Sequence, residues 1–250
     1  MNQLVLSLFP GIGLLDMAFE EEGFCVVRGP DLLWGGDIRR FHPPAEKFDG
    51  VIGGPPCQAF SRLVGIIRAR YGDSAIAANL IPEFSRCVVE AQPNWFLMEN
   101  VPAAPLPIAP GYWISDQLVN NRWLGEVQNR ERRFSFGYRQ DKQCLWLELA
   151  ALEVSEWEAA VCSTAGGRRT PVAIGGSGKP KGPNGKAYSV LKNRTFAEEC
   201  RLQGLPENFL VDAPFTVAGK RQIVGNGVPL PMGRAMARAV KRALGIEQIA

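Results

Sequence analysis

Three positions at the ends of apolar runs offer a thiol, a carboxylate and a guanidinium, in that order along the chain. The thiol is Cys57, in Gly53-Gly54-Pro55-Pro56-Cys57-Gln58, directly after the apolar pair Val51-Ile52. A cysteine behind two prolines can continue neither a helix nor a sheet ladder, so it belongs on a stiff loop leaving a strand. Open α/β sheets carry their chemistry at such strand ends. A lone cysteine is usually inert packing; here its neighbours argue otherwise. Glu99 closes the apolar run Trp95-Phe96-Leu97-Met98, and Arg130 and Arg132 precede another, Arg133-Phe134-Ser135-Phe136. A thiolate supplies a nucleophile, and a guanidinium steadies an oxygen on which charge develops. The competing reading of Glu99 and Arg132 is a structural ion pair between strand ends, and Cys57 beside them weighs against it.

The surrounding motifs resemble those of the DNA (cytosine-5) methyltransferases, in the family's order from residue 8 to residue 229. Leu8-Phe9-Pro10-Gly11-Ile12-Gly13 is similar to the first motif, Gly36-Asp37-Ile38 to the third and Pro56-Cys57-Gln58 to the catalytic one. Glu99-Asn100-Val101 is similar to the sixth, and Gln128-x-Arg130-x-Arg132 to the eighth. Thr195-x-x-Glu198-x-x-Arg201-Leu202-Gln203-Gly204-x-Pro206 resembles the ninth, and Gly225-Asn226-Gly227-Val228-Pro229 the tenth. Any one of these is weak evidence; seven in order are strong.

The resemblance implies a reaction and a set of roles. Carbon 5 of cytosine is a poor nucleophile until a thiolate adds to carbon 6, after which it can take the methyl group of S-adenosylmethionine. Cys57 is then the nucleophile, and free cysteine, with a pKa of about 8.5, needs help to ionise at neutral pH. Glu99 bonds the N3 and 4-amino edge, and Arg132, with Arg130 in the same motif, holds the 2-oxo group. The cofactor falls to Phe9, Gly11, Ile12, Gly13 and Leu14, to Asp31 on the ribose, to Asp37 and Ile38 at the adenine, and to Pro55, Asn226 and Val228. Leu32 and Trp34 compete to stack on the adenine. Only Leu32 to Gly35 separates Asp31 from Gly36, where relatives have a longer helical crossover.

The elements that must position these groups are partly legible. Leu4 to Phe9 reads as a strand entering Pro10-Gly11-Ile12-Gly13, whose glycines let backbone amides approach a ligand at a helix start. A helix follows with Leu15, Ala18 and Phe19 inward, Glu20 to Glu22 outward and Gly23 as its stop. Leu14-Leu15-Asp16 breaks the three-glycine dinucleotide fingerprint, which argues against a nicotinamide cofactor. A helix is expected from Leu80 through Val89, and a proline-rich connector over Pro102 to Pro110. Met232, Ala235, Met236, Ala239, Val240 and Ala243 share one face of a C-terminal helix, with Arg234, Arg238, Lys241 and Arg242 on a solvated stripe opposite. The stretch from Ser61 to Ala78, with Arg62, Arg68, Arg70 and hinge-like Gly65 and Gly72, reads as a mobile element; the resemblance implies a catalytic loop that closes over DNA beside Gln58, with an ordinary exposed loop as the alternative.

Between Ser163 and Lys192 lie six basic residues and no acid, among many glycines and prolines. Such composition suits a linker, but its place between the eighth and ninth motifs matches the family's target-recognition region. Arg168, Arg169, Lys179, Lys181 and Lys186 are the expected contacts to phosphates and base edges. The region is short, comprising a strand-like piece from Cys144 to Leu149, a helix from Ser155 to Cys162 and the glycine-rich loops, so a short target site is expected.

The expected fold is α/β: a mainly parallel, doubly wound, Rossmann-like sheet with a second, small DNA-recognition lobe. Residues 1–137 plus 212–250 form the catalytic domain, and residues 138–211 the small one. At 250 residues and 46% hydrophobic, the chain can bury one full core. Six cysteines without C-x-x-C spacing and a single histidine, His42, argue against a metal site. No apolar run approaches the ~18 residues of a membrane span, and no cleavable leader is evident. The expectation is a monomeric, cytoplasmic, bacterial or phage-encoded enzyme that flips a cytosine out of double-stranded DNA, with a cognate restriction endonuclease as partner. RNA cytosine-5 methylation, and a shortened inactive relative that binds DNA in a regulatory role, are the alternatives.

Overall fold

The computed structural model describes residues 3–60, 64–72, 76, 78–143, 145–150, 160–161 and 195–246. Its frame is a six-stranded sheet of β1 (Leu4–Leu8), β2 (Cys25–Arg28), β3 (Gly50–Gly53), β4 (Trp95–Asn100), β5 (Tyr112–Asn120) and β7 (Glu131–Arg139). The strands lie in the order β2-β1-β3-β4-β7-β5. The first four are mutually parallel, β7 runs antiparallel to β4, and β5 antiparallel to β7. A separate parallel pair joins β6 (Gln128–Asn129) to β8 (Ala160–Val161).

Period-two alternation sends side chains to two cores. Val5, Ile52, Trp95, Leu97, Phe134 and Phe136 face one side, against α1 (Leu14–Glu21) through Leu15 and Phe19 and α6 (Leu230–Ala243) through Met232, Met236 and Val240. Leu6, Leu8, Val51, Phe96 and Met98 face the other, against α3 (Ile81–Ala91) through Phe84, Cys87 and Val88. With helices on both faces, the parallel strands read as continuous apolar runs, as such sheets require. This is the expected doubly wound α/β sheet, with an antiparallel pair completing one edge.

Helices α1, α3 and α6 fall where the apolar periodicity places them, and Gly23 ends α1 with a positive φ of 88°. The basic stripe of α6 is not merely solvated. Arg234 pairs with Glu21 at 2.5 Å, Arg238 with Glu22 at 2.7 Å and Lys241 with Glu22 at 3.8 Å, so the acids ending α1 meet the bases of α6.

Three expectations need correction. The stretch after Cys57 contains a helix, α2 (Val64–Tyr71), rather than a continuous loop. The piece expected as a strand over Cys144 to Leu149 makes no ladder over 145–149, yet Leu145, Leu147 and Leu149 pack in alternation on the sheet core. The helix expected over Ser155 to Cys162 lies mostly outside the described residues, and Ala160–Val161 within it is strand β8. Helix α4 (Phe196–Leu202) adjoins α5 (Val217–Asn226). Cys200 and Leu205 pack with Leu14 and Ala18 of α1, against the catalytic frame itself. Among the described residues no helix is long and apolar enough to cross a membrane.

Candidate active site

Parallel strands β3 and β4 end side by side, and their ends carry the first two reactive groups. After β3, Gly54-Pro55-Pro56 leads to Cys57, which is half-buried and whose carbonyl accepts from the Phe60 amide to start the 3-10 turn Gln58–Phe60. Glu99, the penultimate residue of β4, is 8% exposed. Buried Asn100 beside it donates from Nδ2 to the Pro55 carbonyl at 3.1 Å, while its Oδ1 accepts from the Val101 amide at 2.8 Å. The nucleophile loop is thus tied to the strand that bears the acid. A Cβ on Gly54 would lie 3.2 Å from Glu99 Oε2, close enough that the carboxylate would have to shift by a few tenths of an ångström.

Antiparallel β7 brings in the third group. Arg132 Nε stands 2.9 Å from Glu99 Oε1, and its Nη1 donates to the Glu131 carbonyl at 2.7 Å. Burial pushes the Glu99 carboxyl above its ordinary value, against the pull of Arg132 and Arg130. The Cys57 thiol is also pushed up, first by burial and then by the Glu99 charge, while Arg132 and Arg130 draw it down. Thiol, carboxyl and guanidinium therefore form one electrostatic unit, in which the acid's protonation state alters the thiol.

Arg130, expected in the reacting set, is 2% exposed and turned elsewhere. Its Nη2 donates to the carbonyls of Gly225 at 3.1 Å and Gly227 at 2.9 Å, so it holds the loop after α5. Gln203 meets the same loop, donating from Nε2 to the Val224 carbonyl at 2.6 Å, and the Leu230 amide bonds the Gln203 carbonyl at 2.9 Å. Gln128 Nε2 donates to the Leu202 carbonyl and reaches Gln203 Oε1. Segments carrying the eighth, ninth and tenth motifs converge on this buried polar knot. Sequence reading did not assign it, although its members stand inside the quoted motifs.

Beside the nucleophile loop opens a pocket lined by Phe9, Pro30, Asp31, Leu32, Gly36, Asp37, Ile38, Arg39, Pro56 and Leu80. It gathers Phe9, Asp31, Asp37 and Ile38 of the expected cofactor residues, despite the short crossover. Gly11, Ile12, Gly13, Leu14, Pro55, Asn226 and Val228 lie outside its lining, and Val228 is buried in the sheet core. Of the two candidates for the adenine face, Leu32 lines the pocket. Trp34 instead donates from Nε1 to the Gly11 carbonyl at 2.7 Å and faces Phe215, ring centroids 6.4 Å apart.

The glycine loop differs from its expected use. The Gly11 amide donates to Asp31 Oδ2 at 2.9 Å and the Gly13 amide to the Pro10 carbonyl at 2.7 Å, so both are occupied within the protein. Asp31 also accepts from the Leu33 amide at 2.7 Å, which makes it the brace of the loop as well as a pocket wall. Positive φ angles at Gly11 (56°) and Gly13 (80°) produce the turn. Asp37 is gripped by Arg39, Nη2 to Oδ2 at 2.8 Å, which lowers its pKa; Arg39 was not anticipated from sequence. Nor was Asp16, fully buried under the loop and bonded by Ser7 Oγ at 2.5 Å and Arg28 Nε at 3.0 Å.

Among the expected DNA contacts, Gln58, Arg68 and Arg70 are exposed on the side chains' own elements after Cys57, and the Arg70 guanidinium lies 5.4 Å from the Tyr71 ring centre. Ser61, Arg62, Arg168, Arg169, Lys179, Lys181 and Lys186 lie outside the described residues.

Comparison with known proteins bears on the family. The family model for C-5 cytosine-specific DNA methylase matches residues 35–105. Type II methyltransferase M.NgoPII of Neisseria gonorrhoeae is 24% identical over 96% of either chain. Type II methyltransferase M.AquIA of Picosynechococcus is 32% identical over 57% of this chain and 74% of its own. In fold, the chain is similar to a mutant Spodoptera frugiperda DNMT2 (TM-score 0.65, 14% identity, 96% of this chain and 99% of that one). It is similarly close to the S. pombe Dnmt2 methyltransferase (TM-score 0.62, 14% identity, 97% and 99%). Family and fold are those of S-adenosylmethionine-dependent methyltransferases. The chain belongs to the C-5 cytosine-specific DNA methylases, enzymes that methylate carbon 5 of cytosine in DNA.

Proposed function

We propose that this enzyme attacks carbon 6 of a flipped cytosine in duplex DNA with Cys57, assisted by Glu99 and Arg132. The observation that carries the reading is the 2.9 Å Glu99–Arg132 pair standing where it shifts the Cys57 thiol. Burial favours the protonated Glu99 carboxyl, which can hold a proton at N3 of the ring. While Glu99 is neutral it does not raise the thiol, whereas Arg132 and Arg130 lower it. Among the described residues Arg132 uses Nε on Glu99 and Nη1 on the Glu131 carbonyl, leaving Nη2 for the 2-oxo oxygen. Arg130 acts at one remove, by holding the loop of Gly225 and Gly227 and by its charge.

The residues of the pocket fit S-adenosylmethionine. Phe9, Leu32, Ile38 and Leu80 give apolar walls for an adenine, and two carboxylates stand among them. Each Asp31 oxygen accepts one bond within the protein and retains a lone pair for a ribose hydroxyl. Asp37 suits the adenine amino group. Bound there, S-adenosylmethionine supplies an electrophilic methyl group.

DNA would be held by Arg68 and Arg70 of α2 and by the acid-free segment of residues 163–192, with recognition confined to the stretch between β7 and α4. Flipping the target base costs a few kcal/mol of lost stacking and pairing. The names of the Type II relatives support a role in restriction and modification, with a cognate endonuclease as partner. Bisulfite sequencing of DNA from cells expressing the protein tests the activity. The expected result is protected cytosines at one short, recurring site. Uniform conversion, with methylation of RNA but not duplex DNA in vitro, would overturn the substrate proposed.

A further inference from the structure

The 3-10 turn Ile38–Arg40 has Asp37 at its start and puts Ile38 in the pocket wall. Its own bonds are few: the Arg40 amide donates to the Asp37 carbonyl at 3.0 Å and the Phe41 amide to the Ile38 carbonyl at 3.1 Å. A side chain from the middle of α3 holds it from behind. Arg86 Nη2 donates to the Ile38 carbonyl at 2.8 Å and to the Phe41 carbonyl at 3.0 Å, spanning the turn. The rest of the guanidinium is fixed by acids on its own helix. Nε donates to Glu83 Oε2 at 2.8 Å, and Nη1 to both Glu90 oxygens at 2.8 Å. His42 Nδ1 lies 3.1 Å from Glu90 Oε2 and closes the network from the far side of the turn.

An ordinary ion pair on a helix surface contributes only a few tenths of a kcal/mol and leaves both side chains loose. Arg86 differs in joining helix to turn through two charge-assisted bonds to backbone, with its plane set by two carboxylates. It is absent from the pocket lining, so any effect on a ligand must pass through Asp37 and Ile38.

We infer that Arg86 is a positioning residue for the adenosine half of the cofactor pocket, holding Asp37 and Ile38 at their places through the carbonyls of Ile38 and Phe41. The inference rests on the proposed use of this pocket by S-adenosylmethionine. Lysine cannot substitute, because one ammonium cannot reach two carbonyls and two acids in a fixed plane.

The test measures S-adenosylhomocysteine binding by calorimetry on the whole protein and its variants Arg86→Lys and Asp37→Ala. Methylation kinetics with cofactor and DNA varied separately accompany it. Arg86→Lys should weaken cofactor binding, and raise KM for S-adenosylmethionine, by about tenfold. The KM for DNA and kcat should move by less than about twofold. A merely structural Arg86 would lower the melting temperature and leave cofactor affinity and KM as they were, which would overturn the inference. If Asp37→Ala also leaves affinity unchanged, the assignment of the pocket is what fails; if only Asp37→Ala weakens binding, the inference alone fails. Should Arg86→Lys not fold, Glu90→Gln loosens the same guanidinium from outside the turn, and unchanged cofactor affinity there overturns the inference equally.

Discussion

Cys57 sits in surroundings that hold its proton on, since burial and the Glu99 charge both raise the thiol. An enzyme that kept its thiol permanently ionised would expose it to oxidation and alkylation between turnovers. Here the two nearby arginines oppose that rise, and the charge on Glu99 adds to the effect of burial. Glu99→Gln should therefore shift the pH profile of Cys57 alkylation to lower pH while methylation falls. The sign follows from the charges: the thiolate is the reactive form, and removing the neighbouring anion lowers the pH at which it appears. Mass spectrometry of the Cys57 peptide is the measurement, because the exposed Cys25 also reacts with an alkylating agent. An unchanged profile would separate the thiol from the acid. These two groups and Arg132 were legible in the sequence because each is embedded in a motif at a strand end. Arg39 and Asp16 were not, since their partners are set by local geometry rather than by spacing.

Elements, more than single residues, fix the distances within this site. Strands β3 and β4 are adjacent and parallel, and Asn100 joins the loop of one to the end of the other. Asn100→Ala should leave the Pro55 carbonyl without its buried partner and lower stability by about 1–3 kcal/mol. Methylation should fall more than stability alone explains, because the Cys57 loop then loses its register against Glu99. Chemical denaturation read beside kcat at a temperature where the variant is fully folded checks both. Full activity would show that the prolines alone hold the loop. Helices α1, α3 and α6 could be read from their apolar spacing. Strand β5 escaped, because as an edge strand it leaves Trp113 and Leu118 exposed and shows no clean alternation. Helix α2 escaped for the opposite reason: Gly65 and the arginines around it argue for a loop, and its apolar residues form no stripe.

Across the whole molecule, segments far apart along the chain meet in one buried polar knot. Segments near residues 128, 203 and 225 bond one another at Gln128, Gln203 and Arg130, and α4 packs on α1. Contacts of 21 to 97 residues' separation join them, and no periodicity or local spacing discloses such pairings.

The central claim is that Cys57 forms a covalent bond to a cytosine of duplex DNA. It is tested most directly with a duplex carrying 5-fluorocytosine at the methylated position, where fluorine prevents loss of a proton from carbon 5 and the adduct cannot resolve. In the presence of S-adenosylmethionine the protein should form a denaturation-resistant complex with this DNA, with the mass of protein plus methylated duplex, and Cys57→Ala should form none. A complex that persists in Cys57→Ala, or turnover of normal DNA by that variant, would contradict the account.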